Sequence, residues 1–308
     1  MQRSRIVVVT AIAVAAALTL AACSSSEQGS SSDRRDTGSC PSEPIDIVVT
    51  VDQWGDIVRR LAGACGDVTT IITGADADPH DFEPSPRDNA AFTDADLVVV
   101  NGLGYDAWAD NVLDTLSSEP AMIDAAEVVG RTDGDNPHLW YDPDAVQEVA
   151  RALTATLEEL LPDAAAYLDD QATVWEQALQ SYRDEIAAVE ASARGRSYAA
   201  TEPVFDEMAA AVGLLDRTPE GYRNAATNES DPSPGDIHDF EEILRSGEVD
   251  VLVVNTQTEG SIPEQLRAVA EKARIPIVEV TETAPDDVSS FVDWQITQLR
   301  ALAEALGR

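Results

Sequence analysis

Two short stretches of the chain look alike: "DADPHDFEP" at residues 76–84 and "DNPHLWYDP" at residues 135–143. The chain has only three histidines, and two of them, His80 and His138, sit in these stretches, each directly after a proline. Proline fixes its own φ, so Pro79 and Pro137 stiffen the backbone just before each imidazole and lower the ordering cost of using it as a ligand. Two glutamates complete the set. Glu202 follows the apolar run "SYAAT" and Glu282 follows "IPIVEVT". Two neutral imidazoles and two carboxylates neutralise a divalent cation and offer borderline-to-hard donors, a set suited to Zn²⁺, Mn²⁺ or Fe²⁺. Alone, a loop histidine beside acids, or a glutamate after a strand, reads as a solvated charge; only the four together carry the metal reading. His238, in "GDIHDFEE", matches no motif and reads as an exposed helical side chain.

The elements that must position these residues follow from hydrophobic periodicity. "IDIVVTV", "DVTTIITG", "DLVVVNG" and "AMIDAAE" read as strands, separated by helical spacing in "QWGDIVRRLAG", "PSPRDNAAFTDA" and "YDAWADNVLDTL". Continuous apolar strands alternating with helices indicate a parallel sheet covered on both faces. Asp142 and Pro143 then open a helix as N-cap and first-turn residue, and Pro162 ends it. Residues 164–193 contain no Gly or Pro and alternate four- and three-residue apolar spacing through Leu168, Ala172, Trp175, Leu179, Tyr182, Ile186 and Val189. Thirty helical residues make a rod of about 45 Å, longer than one small lobe needs. The β/α pattern resumes with "SYAAT", "PVFDEMAAAVGL", a long polar loop over "TPEGYRNAATNESDPSPGD", and then "IHDFEEILRSG", "VDVLVVN", "PEQLRAVAEKA", "IPIVEVT" and a closing amphipathic helix. The expected fold is α/β: two β/α lobes, each with a mostly parallel sheet, joined by one long rigid helix, with a metal cleft between the lobes. In open α/β sheets ligands bind beyond the carboxyl ends of the strands, where both glutamates and both histidine loops fall.

The N-terminus reads as a targeting segment: a basic "MQRSR", an apolar run too short for a confident membrane span, and then "LAAC". This pattern resembles a bacterial lipobox, with cleavage before Cys23 and lipid on its sulfur. The expected organisation is a signal peptide over 1–22, a flexible Ser/Gly-rich tether over 23–43, an N-terminal α/β lobe over 44–163, the linking helix over 164–193 and a C-terminal α/β lobe over 194–308. Cys40 and Cys65, exported to an oxidising compartment, read as a disulfide rather than a metal site, one that would contribute about 3 kcal/mol by closing a loop of this size. Formal net charge is −37. That acidity argues against nucleic acid and anionic lipid as partners and permits cations.

The chain resembles the metal-binding solute-binding lipoproteins of bacterial ABC importers for zinc and manganese, the ZnuA/TroA-like family, from about residue 45 to the C-terminus. "DPHDFEPSPRD" resembles the first ligand motif of that family, with His80 as ligand, and "NPHLWYDPD" the second, with His138. "NGLGYDAW" is similar to its turn after the third strand. "ATEPVFDEMAAAVGL" resembles the third motif, with Glu202 where zinc-type members usually carry His and manganese-type members often carry Glu. "VEVTETAP" resembles the fourth, with Glu282 in place of a common Asp. The His-rich loop of zinc-type members is absent. The resemblance implies a non-catalytic binding protein, lipid-anchored at the outer face of the cytoplasmic membrane and monomeric. It would capture Mn²⁺ or Zn²⁺ (Fe²⁺ also fits) and deliver it to an ABC permease and its ATPase; it needs no catalytic cofactor. The rival readings are a metal-dependent hydrolase, a surface adhesin and a binder of metal chelates. The hydrolase finds no "HExxH", "GxSxG" or CxxC in the chain.

Overall fold

The computed structural model describes residues 38–74, 82–228, 230–258, 260–285 and 288–307. The expected signal segment, Cys23, most of the expected tether and His80 lie outside the described residues. The first half runs β1 (Ile45–Val51), α1 (Asp52–Ala62), β2 (Gly66–Ile72), α2 (Pro86–Asp94), β3 (Leu97–Val100), α3 (Trp108–Leu113), β4 (Ala121–Asp124) and α4 (Ala125–Val128). Two long helices follow, α5 (Pro143–Leu160) and α6 (Ala165–Ala193). The second half runs β5 (Ser197–Ala200), α7 (Asp206–Ala211), β6 (Leu215–Asp216), α8 (Glu220–Thr227), α9 (Pro234–Ser246), β7 (Val251–Asn255), α10 (Ser261–Ala273), β8 (Ile277–Val280) and α11 (Phe291–Ala305).

The strands form two four-stranded sheets, all neighbours parallel, in the orders β2-β1-β3-β4 and β6-β5-β7-β8. The second order repeats the first, so the lobes share one topology. β3, "LVVV", is buried at every position, as a central strand covered on both faces must be. The polar loop expected over "TPEGYRNAATNESDPSPGD" contains a helix instead, α8. Its apolar stripe is a single buried residue, Tyr222, packed edge-on at 4.7 Å against Phe240, too little periodicity to register in a sequence.

α6 is helical because nothing in it interrupts the backbone ladder, and it buries Leu168, Gln171, Trp175, Leu179, Tyr182 and Val189 along one face. It packs on α5, α1 and α11. α11 ties the halves together. Its backbone begins with the Phe291 N–H donating to the Asp56 carboxylate of α1 (2.9 Å). Its Phe291 ring meets Trp175 and Tyr182 of α6, and its Trp294 indole donates to Thr281, just after β8, at 2.9 Å. One apolar core therefore runs from the first lobe through α6 and α11 to one face of the second sheet, and a smaller cluster fills the far face beneath α8, α9 and α10. Truncating a fully buried Trp294 would cost about 3–5 kcal/mol. Cys40 and Cys65 are joined by a disulfide that fastens the start of the described chain to the turn after α1. Among the described residues no helix is long and apolar enough to cross a membrane.

Candidate metal centre

His138 is set by what surrounds it in the chain. Leu139, Trp140 and Tyr141 form a single 3₁₀ turn and are all fully buried, and Asp142 then caps α5 by accepting from the Asp144 and Ala145 N–H groups. A buried turn followed directly by a capped helix leaves the His138 backbone little freedom on its C-terminal side. On its other side, Asn101 donates to the Pro137 carbonyl at 3.0 Å. The ring lies edge-on to Trp140 (5.3 Å between centroids) and to Tyr105 (6.1 Å).

The hydrogen bonds around His138 fix its tautomer. Asn136 Oδ1 accepts from the His138 backbone N–H at 3.0 Å and lies 2.6 Å from Nδ1, while Asn136 Nδ2 donates to the Pro203 carbonyl at 2.8 Å. The amide oxygen is thereby assigned, so Nδ1 carries a proton and Nε2 is the nitrogen left for a ligand role. Nε2 faces Glu282 Oε1 at 3.4 Å. An imidazole nitrogen and a carboxylate oxygen at this separation are joined either by a proton on Nε2 or by a metal ion. Bonds of about 2.0–2.1 Å at a tetrahedral angle would separate the two donors by roughly 3.3 Å. The spacing fits an N–metal–O edge.

The carboxylates come from the second lobe. Glu202 stands after β5 and Thr201, and Pro203 turns the chain immediately afterwards. Asn255, the last residue of β7, donates to Glu202 Oε2 at 2.7 Å. Burial pushes the Glu202 carboxyl above the usual range, and the Glu282 charge adds to this; the Asn255 hydrogen bond and the His138 ring work the other way. Glu282 follows β8 and Thr281. Its backbone N–H and that of Thr283 both donate to Gln257 Oε1, at 2.5 and 2.9 Å. From the first lobe, Gln53 Nε2 donates to the Glu282 carbonyl at 3.1 Å and Tyr105 donates to Glu282 Oε1 at 2.8 Å. One further acid is close enough to feel the His138 ring: Asp206, whose carboxyl is pushed up to about 6, chiefly by burial, and which accepts from Tyr198 at 2.7 Å.

Of the four residues expected from sequence, His138 and Glu282 are in contact, and Glu202 is near enough for both to act on its ionisation. His80 lies outside the described residues, and among the described residues no group of three His, Cys, Asp or Glu side chains is close enough to hold an ion. His238 is exposed on α9. The residues that sequence reasoning missed are the neutral ones that hold His138, Glu202 and Glu282 in place: Gln53, Tyr105, Asn136, Asn255 and Gln257. One signal was available, since "DLVVVN" and "DVLVVN" put the same amide at or directly after the end of the third strand of each lobe.

The family model for the periplasmic zinc-uptake complex component A matches residues 47–305. The chain belongs to that family. The manganese-binding lipoprotein MntA of Halalkalibacterium halodurans is 30% identical over 177 residues, which is 55% of this chain and about half (55%) of that relative's own length. The iron-binding protein YfeA of Yersinia pestis is 26% identical over 252 residues, 78% of this chain and 70% of the relative. Among solved structures, the periplasmic zinc-binding protein TroA of Treponema pallidum superposes with a TM-score of 0.73 at 17% identity, covering 86% of this chain and 100% of that one. The laminin-binding protein Lmb of Streptococcus agalactiae, described as having adhesin and metal-transporting activity, gives 0.70 at 22% identity, covering 85% and 99%. At these identities the two structures establish the shared two-lobe fold.

Proposed function

We propose that this family member is the extracytoplasmic solute-binding component of an ABC importer, capturing a divalent transition metal, Mn²⁺ or Zn²⁺, and passing it to a membrane permease served by an ATPase. His80, His138, Glu202 and Glu282 would be the ligands, the histidines from the first lobe (44–163) and the glutamates from the second (194–308). The observation that carries this reading is the pair of donor atoms, His138 Nε2 and Glu282 Oε1, held 3.4 Å apart with the imidazole proton committed to Asn136. Two carboxylates balance the charge of the ion, and four protein ligands enclose it, which is the arrangement of a binding site rather than of a catalytic one with an open position. The chain is accordingly proposed to bind and release without chemistry. The lipobox-like "LAAC" supports lipidation of Cys23, and with it retention at the outer face of the cytoplasmic membrane. The long α6, buttressed by α11, favours a small tilt of the lobes on release over a wide hinge.

Isothermal titration of the purified protein with Zn²⁺ and Mn²⁺ tests this reading. The parent should bind one ion, and His138→Ala or Glu282→Ala should weaken binding by orders of magnitude. Unchanged affinity in both variants would defeat it. Binding should also weaken with falling pH from above the ordinary carboxylate range, because the Glu202 carboxyl is raised and the ion must compete with its proton.

A further inference from the structure

Glu282 is held from across the cleft by two residues with no claim to be ligands themselves, its carboxylate by Tyr105 and its backbone carbonyl by Gln53. Gln53, on the first turn of α1, and Tyr105, in the turn after β3, are 1% and 0% exposed. That turn is built for close approach: Gly102 has a positive φ of 81°, and a β-carbon there would run into the Asp124 carboxylate. The direction of each hydrogen bond is determined. Gln53 Nε2 donates to the Tyr105 hydroxyl at 2.9 Å as well as to the Glu282 carbonyl, so the phenolic proton points at Glu282 Oε1, 2.8 Å away. The same Oε1 faces His138 Nε2. The phenol and the imidazole nitrogen thus meet the same carboxylate oxygen.

We propose that Tyr105, locked by Gln53, is a positioning residue that restricts Glu282 to one coordinating oxygen and so tilts the site toward ions content with four ligands. The proposal rests on the ligand roles inferred above. Bidentate coordination requires the ion to lie between both carboxylate oxygens, and rotating Glu282 to achieve it would pull Oε1 away from the phenol. The chain cannot make that rotation by shifting its backbone either. Gln257 holds the Glu282 N–H and Gln53 its carbonyl, one from each lobe. Zn²⁺ is satisfied by a tetrahedral shell, whereas Mn²⁺ prefers six oxygen-rich ligands and loses more when a carboxylate is limited to one oxygen. The clamp therefore opposes Glu202, whose hard oxygen replaces a nitrogen and favours manganese. Selectivity is the balance of the two.

Tyr105→Phe removes one oxygen atom and keeps the ring in its buried place. Zn²⁺ and Mn²⁺ affinities of the parent and the variant are measured by titration, with X-ray absorption of the Mn²⁺-loaded protein to count ligands. Outer-shell partners of this kind change affinity by about 10–100-fold. The expected result is Zn²⁺ binding at least about tenfold weaker, Mn²⁺ binding unchanged or tighter, and one more oxygen around manganese. Gln53→Met, which frees the phenol to turn away, should move the same ratio in the same direction, and thermal unfolding checks that both variants fold. Equal losses for both metals, or an unchanged ratio and ligand count in either folded variant, would overturn the clamp. A parent protein that binds neither metal would instead overturn the ligand assignment on which it rests.

Discussion

The two lobes solve the same folding problem alike and then part company at the cleft. Their strand orders match. In each, an aspartate just before the third strand accepts a backbone N–H from the start of the first: Asp96 from Asp46 at 3.0 Å, Asp250 from Ser197 at 2.8 Å. In each, an asparagine stands at the end of the third strand, Asn255 as the last residue of β7 and Asn101 directly after β3. There the likeness stops. Asn101 spends its amide on the scaffold, donating to the Gly102 and Pro137 carbonyls and accepting from the Trp54 indole at 3.0 Å. Asn255 donates directly to the Glu202 carboxylate. The first lobe presents the His138 imidazole from a loop well beyond its strands, so it must anchor main chain. The second delivers negative charge from the strand ends themselves, so it must anchor carboxylates. One scaffold serves both because the difference is confined to what stands past the last hydrogen-bonded residue of each strand.

Breaking the contact where the lobes meet should have the largest effect: loss of metal binding by orders of magnitude in His138→Ala, measured by calorimetry, with His238→Ala on the outer helix α9 indistinguishable from the parent. Next is the staple that only the first lobe carries. Reducing Cys40–Cys65 should lower stability by about 3 kcal/mol in denaturant unfolding, without abolishing metal binding. The two asparagines then separate the lobes' designs. Asn101→Ala leaves the Trp54 N–H and the Pro137 carbonyl without this partner and should destabilise the fold by about 1–3 kcal/mol. Asn255→Ala should weaken metal affinity about 10–100-fold while costing less stability. If the two variants behave alike in both assays, the distinction fails.

The smallest effect concerns the acidic wall alone. The Asp206 carboxyl, near 6 when folded, has a reference value of about 3.9 when unfolded. Between those values the folded state holds a proton that the unfolded state has lost. Stability therefore falls as pH rises from about 4 to 6 and levels off above, by at most roughly 3 kcal/mol from this group. Asp206→Asn keeps an acceptor for Tyr198 and removes the buried charge, so it should equal the parent near pH 4 and exceed it at pH 7 in thermal melts.

Much of this was legible in the sequence, for physical reasons. The expected helix over 164–193 matches α6 (Ala165–Ala193) because an uninterrupted 3.6-residue pattern has no competing reading. The strands were legible because central parallel strands are apolar on both faces. The two-residue β6 and the one-stripe α8 were not, since each buries too little to leave a pattern. At the site, His138 and Glu282 stood out by scarcity and by position after a proline or a strand. Tyr105 and Gln53 could not: they reach Glu282 from 177 and 229 residues away, and a neutral polar side chain carries no periodic mark of a partner that distant in sequence.

The central claim, that the facing His138 Nε2 and Glu282 carboxylate are joined by a metal ion, is tested most directly by anomalous diffraction from crystals grown with Zn²⁺. The account predicts a single strong peak about 2.0–2.2 Å from both His138 Nε2 and the Glu282 carboxylate, with Glu202 and His80 completing the shell. A map with no peak between those two atoms, or with the His138 ring turned so that Nε2 donates its own hydrogen bond, would contradict it.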